Sequence, residues 1–340
     1  MKPIKIGTRE SELAVWQATL VQMLLKENGF SSELIYIKSE GDIDTVTPLY
    51  ELGVQGIFTK TLDAALLNNK IDIAVHSMKD VPTVLAKGIK QAAVLKRGSH
   101  KDIFVPHPDI FNIKRPLLRA SILLISQGPK TTESIFEIPL WGHLDKQGKM
   151  EKVVIATSSI RRKAQWLTRV GDDKIVNLRG NVNTRLRKLE ESNWHGAIFA
   201  AAGLERINLR PENSIDLDWM LPAPAQGAIM VVCREDDKFS FKACTNFNDA
   251  DTALCTKIER DFLRTLLGGC STPISALAQI KKDKILFKGN ICSPDGKQKF
   301  EIEKEVLIID ADKSGNIAAK EMLENLQAKD IIHTIRNEKN

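Results

Sequence analysis

The strongest constraint on this chain is a repeated grammar ahead of residue 235. A short apolar run meets a junction of glycine, hydroxyl and cationic residues, and a stretch with apolar residues at helical spacing follows. "KIGT", then "SELAVWQATLVQMLLKENG" with Gly29 as its stop, then "ELIYIKS" open the pattern. "IFTKTLDAALLNNK", "IDIAVHS" and "GIKQAAVL" continue it as helix, strand and strand. It resumes with "VVIATSS", "IRRKAQWLTRV", "KIVNLRG", "VNTRLRKLEES", "GAIFAAAG" and "LERINL". Such alternation predicts an α/β fold of parallel strands with helices on both faces.

The period lapses between Phe104 and Glu151, which predicts an inserted surface excursion, and "PAPAQGAIMVVCRE" returns as a turn and strand rejoining the first unit. From about Asp249 the grammar changes. One amphipathic helix, "TALCTKIERDFLRTLLGG", precedes hairpin-like runs "ISALAQIKK", "KILFKGNICS" and "KFEIEKEVLII" and a last helix "NIAAKEMLENLQ", which predicts a smaller α+β unit with an antiparallel sheet. At 340 residues, with about 100–200 per domain, the chain has room for this partition. The expected domains are 1–100 with about 226–247, then 101–225 with an insertion at about 106–151, then 248–340.

Composition narrows the function. Lys and Arg number 49 against 43 Asp and Glu, so most cations have acidic company, and no basic run interleaved with aromatics offers a stacking platform for single strands. Five cysteines, odd in number and without a C-x-x-C pair, argue against a disulfide framework and a zinc site. No apolar run approaches the ~18 residues of a membrane span, and the opening "MKPIKIGTRES" enters a strand at once; the expectation is a cytoplasmic protein.

The junctions carry the chemistry. In "ATSSIRRKAQ" two cations, Arg161 and Arg162, follow Thr157, Ser158 and Ser159 in a helix's first turn, where the backbone field opposes them by ~0.3–1 kcal/mol. Arg9 beside Thr8 and Ser11, Arg179 and Arg185 around "NLRGNVNTRLRKL", and Lys79 after a buried strand repeat the arrangement. Cations at the carboxyl ends of parallel strands fit an anion carrying several carboxylates or phosphates, since a close pair gains about 4 kcal/mol at an effective dielectric near 20. The partner of the first-turn arginines is thus expected to be a ligand absent from the sequence, the alternative being surface carboxylates. In "HSMKDVP", Asp80 is a carboxylate among cations, placed to stabilise a cation formed during reaction or to pass a proton, or else to cap the next helix. His76 reads as a buried hydrogen-bonding residue. Cys270 follows Gly268 and Gly269 in a loop, as a nucleophile, an attachment point or an inert thiol.

In order, "GTRES", "GIFTKTLD", "DIAVHSMKDVPT", "ATSSIRRKAQ", "LRGNVNTRLRKL", "AAAGLERI", "PAPAQGA" and "ERDFLRTLLGGCSTPI" resemble the motifs of the porphobilinogen deaminase (hydroxymethylbilane synthase) family, over nearly the whole chain apart from 105–151. The resemblance implies two type II periplasmic-binding-protein-like α/β domains around a cleft plus a C-terminal α+β domain with an antiparallel sheet. It implies a transferase of tetrapyrrole and haem biosynthesis that deaminates four porphobilinogen molecules and joins them head to tail on a covalently bound dipyrromethane cofactor. Hydrolysis then releases hydroxymethylbilane.

By motif position, the thioether to that cofactor belongs to Cys270. Asp80 is implied as the catalytic residue, touching pyrrole nitrogens and the cation left when ammonia departs. Lys79, Asp80, Thr157, Ser158, Ser159, Arg161 and Arg162 are implied to hold the cofactor. Arg9, Ser11, Gln17, Lys60, Arg179, Arg185, Gly203 and Arg206 are implied to serve substrate and growing chain. No metal is implied, no nucleic acid and no membrane; the expected state is a monomer with hand-off to a downstream tetrapyrrole enzyme. Two positions depart from the family pattern, Gln55 where a lysine is usual and Thr61 in place of glutamate. A rival reading from the same architecture is a non-enzymatic anion-binding receptor.

Overall fold

The computed structural model describes residues 2–38, 59–109, 152–171, 173–266 and 272–337. The first unit comprises β1 (Ile4–Thr8), α1 (Glu12–Glu27), β2 (Ser32–Tyr36), α2 (Lys60–Leu67), β3 (Ile73–Ser77) and β4 (Ile89–Val94). The chain then crosses to a second unit of β5 (Asp102–Pro106), β6 (Val154–Ala156), α3 (Ile160–Val170), β7 (Lys174–Val176), α4 (Val182–Glu190), β8 (Gly196–Ala200), α5 (Ala201–Glu205) and β9 (Ile215–Asp216). It returns to the first as β10 (Ile229–Arg234) and α6 (Lys238–Thr245). The third unit holds α7 (Ala250–Leu266), β11 (Ile274–Lys281), β12 (Lys284–Cys292), β13 (Lys299–Leu307), α8 (Ser314–Glu324) and α9 (Leu326–Asn337).

The strand orders are β2-β1-β3-β10-β4, β7-β6-β8-β5-β9 and β11-β12-β13. β1 runs parallel to β2 and β3, and β6 parallel to β7 and β8, as the alternation requires. The sheets are nevertheless not wholly parallel. β10 lies antiparallel between β3 and β4, and β5 antiparallel between β8 and β9. The reason is the double crossing: β5 and β10, the first strands after each crossing, enter their sheets reversed. Phe104 to Pro106, expected as irregular, complete β5; residues 110–151 of the expected excursion lie outside the described residues.

Helical spacing buries Gln17, Ala18, Val21 and Leu25 of α1 over Ile4 and Ile6, each large aliphatic contributing about 1.5–3 kcal/mol. The two crossings run side by side: Leu95 N–H donates to Ile229 O and Gly98 N–H to Gly227 O, both at 3.0 Å, ordinary ladder geometry. Gly227, at φ +87°, is required there, because a Cβ would come within 2.5 Å of Ser99 O.

α7 knits the units together. Buried Glu259 takes Arg97 through both carboxylate oxygens (2.6 and 3.1 Å), the Ala225 N–H (2.6 Å) and the Ala278 N–H (2.8 Å). Ala225 sits at φ +62°, a conformation costing a residue with a Cβ about 1–2 kcal/mol, which this charge-assisted bond offsets. Two helices escaped the sequence reading. α6 is short and aromatic, and α9 continues the period of α8 past Asn325, whose extended backbone ends one helix and whose side chain accepts from the Ala328 N–H of the next at 3.3 Å. Cys233, Cys244, Cys255 and Cys292 are buried core thiols, and burial raises each pKa, to about 11 for Cys233, Cys255 and Cys292.

Candidate active site

Every cationic junction singled out in the sequence falls at the carboxyl end of a parallel strand, the edge where open α/β sheets bind ligands. β1 delivers Arg9 and Ser11, the latter as N-cap residue of α1. β3 runs into a single 3-10 turn, Met78–Asp80, with Met78 buried in the core, Lys79 half-buried and Asp80 exposed. From the second unit β6 delivers Thr157, Ser158 and Ser159, and β7 leads to Arg179 and, one turn into α4, Arg185.

The hydroxyls shape the turn. Ser158 Oγ donates to Leu178 O at 2.6 Å, Thr157 Oγ1 accepts from the Ser159 N–H at 3.2 Å, and Ser159 Oγ caps α3 by accepting from the Arg162 N–H at 3.4 Å.

Electrostatics place the two sheet edges against each other. Burial pushes the Lys79 ammonium down to about 8, against the pull of Asp80; Arg162, Asp102 and Arg161 across the gap act on it too. Burial likewise lowers Arg185 to about 10, with Arg162, Asp80, Arg179 and Arg9 all within reach of its charge. Arg9, Lys79, Asp80, Arg161, Arg162, Arg179 and Arg185 therefore form one cluster spanning both units. Such a surplus of guanidinium and ammonium groups around one exposed carboxylate suits a ligand with several carboxylates and its own N–H donors.

The first-turn arginines are the principal correction, for their carboxylate partner is in the chain. Asp102, at 0% exposure, receives Arg161 Nη1 at 2.5 Å, Arg162 Nε at 2.9 Å and Gln226 Nε2 at 3.0 Å. Arg162 Nη2 also pairs with Asp102 at 2.8 Å, and two further donations go to backbone carbonyls, Arg161 Nη1 to Leu221 O and Arg162 Nη1 to Ile198 O, both at 2.9 Å. Burial alone would raise the Asp102 carboxyl, yet Arg161 and Arg162 hold it well below the usual carboxylate range. Asp102 heads an apolar strand in "KDIFV", the one signal that marked it. Arg161 Nε remains buried with no hydrogen-bond partner among the described residues.

Other expected residues sit less centrally. Gln17 is buried at 2% exposure and donates to Ser77 Oγ at 2.9 Å, beneath the strand end rather than in front of it. Arg206, lowered to about 10 by burial, donates to Gly227 O at 2.6 Å and lies 5.7 Å from the Trp16 ring, bracing the crossing. Gly203 sits where α5 approaches Leu13 of α1 and Val182 of α4. Lys60 is exposed on the first turn of α2, which also holds Thr61. His76 is buried as expected, but its Nε2 makes no hydrogen bond among the described residues. Cys270, Gly268, Gly269 and Gln55 lie outside the described residues. No group of His, Cys, Asp and Glu suited to a metal occurs among the described residues.

Comparison with known proteins adds an independent line. Residues 4–242 match the family model "Porphobilinogen deaminase, dipyromethane cofactor binding domain", and residues 253–324 match "Porphobilinogen deaminase, C-terminal domain". The chain is 38% identical over 341 residues to porphobilinogen deaminase of Pelotomaculum thermopropionicum, covering 99% of this chain and 98% of that one. It is 38% identical over 311 residues to the chloroplastic porphobilinogen deaminase of Oryza sativa, covering 88% and 77%. Among solved structures, the methionine binding protein MetQ is similar at 13% identity and a TM-score of 0.40, over 73% of this chain and 91% of that one.

Proposed function

The chain belongs to the porphobilinogen deaminase family, and on that premise we propose that Asp80 is its catalytic residue and that the cationic cluster holds its pyrrole carboxylates. The activity is hydroxymethylbilane synthesis from porphobilinogen with a dipyrromethane cofactor, on an architecture of two type II periplasmic-binding-protein-like α/β units and a C-terminal antiparallel-sheet unit. The observation that carries the residue assignment is the cluster itself: an exposed carboxylate from one unit within electrostatic reach of Lys79, Arg185 and Arg162.

Each pyrrole brings carboxylates, and Arg9, Lys79 and Arg185, half-buried, with the buried Arg179, supply their counter-charges in a setting where such pairs outweigh their exposed equivalents. Arg161 and Arg162, already bound to Asp102, present a fixed positive wall rather than mobile cations. The hydroxyls of Thr157 and Ser159 accept from backbone N–H groups and keep their own protons to donate. When bound, the dipyrromethane supplies the pyrrole chain end from which the product grows, and Cys270 is the residue assigned to hold it.

When porphobilinogen loses ammonia, the carbon–nitrogen bond breaks with its electron pair on nitrogen, leaving a methylene carbon cation conjugated with the ring. Asp80 stabilises that cation and accepts the ring N–H, and takes the proton released when the next carbon–carbon bond forms. The reading has the enzyme act as a monomer. The same reading places the enzyme in the cytoplasm, passing its linear product to a downstream tetrapyrrole enzyme. Asp80→Asn tests the assignment: it keeps the fold and the covalent adduct while turnover falls by at least about 10²-fold. Near-normal turnover would refute the role of Asp80.

A further inference from the structure

The turn that presents Asp80 is held from outside its own unit. Arg260, on α7, donates from Nη1 to Val81 O at 2.9 Å and to Met78 O at 3.3 Å, and from Nη2 to Pro82 O at 2.6 Å. Its side chain is buried. The three acceptors flank Asp80 on both sides. Met78 and Val81 are seated in the core and the Met78 N–H donates to Ala228 O at 3.0 Å, but the exposed Asp80 between them depends on how the turn itself is held. The 3-10 turn Met78–Asp80 closes with one bond, Val81 N–H to Met78 O at 3.1 Å, and Pro82 has no N–H to contribute. A guanidinium fork is the group suited to gathering several carbonyls at once, because its donors are planar and fixed; a lysine ammonium reaches fewer in a looser geometry.

The neighbouring residue on α7 strengthens the case. Glu259 fastens the same helix to Arg97, to Ala225 in the crossing and to Ala278 in β11. α7 therefore cannot slide without disturbing these contacts, and Arg260 transmits that rigidity to the Asp80 turn. The described part of the helix runs to Leu266, four positions before Cys270 in the sequence.

We propose that Arg260 is a positioning residue for the reaction: by gripping the carbonyls of Met78, Val81 and Pro82 it fixes the Asp80 carboxylate in register with α7 and the units that helix joins. This rests on the reading of Asp80 as catalytic. Misplacing a catalytic group by about 1 Å costs up to about 10²-fold in rate, so the grip has a kinetic consequence distinct from its contribution to stability.

The test compares Arg260→Met and Arg260→Lys in the full chain with Arg264→Met, one turn further along α7. Arg264 is half-exposed and pairs with Asp261 at 2.7 Å. kcat and KM are expressed per adduct-bearing molecule, counted by intact mass, and hydrogen exchange is followed in the peptide spanning residues 76–84. Arg260→Met is expected to speed exchange in that peptide and to lower kcat at least about tenfold while KM changes less than about threefold. Arg260→Lys falls between, and Arg264→Met matches the unaltered chain in both readouts.

Unchanged exchange in residues 76–84, or unchanged kcat per adduct-bearing molecule, overturns the proposal. If Arg260→Met does not fold, Arg260→Lys decides by the same two readouts. If Asp80→Asn proves active, the exchange measurement still decides whether Arg260 holds the turn, so the two failures are distinguishable.

Discussion

Replacing Asp102 by Asn removes one negative charge from a site with no water access and leaves two guanidinium groups facing each other. Asp102 is 0% exposed, and Arg161 and Arg162 only 4% and 5%. Removing one partner of a buried ion pair typically costs about 3–5 kcal/mol, because the charge left behind keeps its desolvation penalty. The asparagine can still accept one bond and donate another, so the loss is the charge rather than the packing. At a urea dependence of about 2 kcal/mol per molar, this shifts the unfolding midpoint down by about 1.5–2.5 M.

Tryptophan fluorescence reports on the right region, since Trp166 of α3 stacks on Phe104 at 5.8 Å and lies 6.1 Å from Trp219, in the core over which Arg162 sits. The decisive sample is cofactor-free protein. A full shift there identifies Asp102 as the partner of the first-turn arginines. A shift under about 0.5 M in cofactor-free protein, at a cost of under about 1 kcal/mol, would refute the argument and return the arginines to the bound ligand.

Two further outcomes follow from the same geometry. Burial and the nearby Arg9 push the His76 imidazole down to about 4, whereas in the unfolded chain it titrates near 6.5. Between those values the unfolded chain binds a proton the fold does not, so stability falls on acidification from pH 6.5 to 4, by about 3 kcal/mol in all; His76→Gln should flatten that slope in urea midpoints measured against pH. Gly227→Ala should destabilise by at least about 1–2 kcal/mol through the left-handed backbone alone, beyond which its Cβ meets Ser99 O at 2.5 Å; a midpoint equal to that of the unaltered chain would contradict the packed crossing.

What was legible in the sequence depended on range. Strand β3 and the junction at Asp80 could be read because an apolar run, a cation, a carboxylate and a proline stand within a dozen residues. The helices α1, α3 and α4 were equally local. The antiparallel entry of β5 and β10 was not, since it depends on which unit each strand joins after crossing. Asp102 and Arg161 are 59 positions apart, and Arg260 reaches carbonyls some 180 positions away (182 to Met78, 178 to Pro82). Arg260 itself lay inside a helical period, indistinguishable from a solvated charge. "RR" at the start of α3 was read rightly as an electrostatic anomaly, but the carboxylate that answers it heads a strand far away in sequence.

The most direct test of the central claim is the intact mass of the purified, denatured chain. Chemistry at this cluster with Cys270 as anchor predicts a covalent adduct of dipyrromethane size, which is absent from Cys270→Ser and retained in Asp80→Asn. An unmodified mass from protein that turns over porphobilinogen would contradict it.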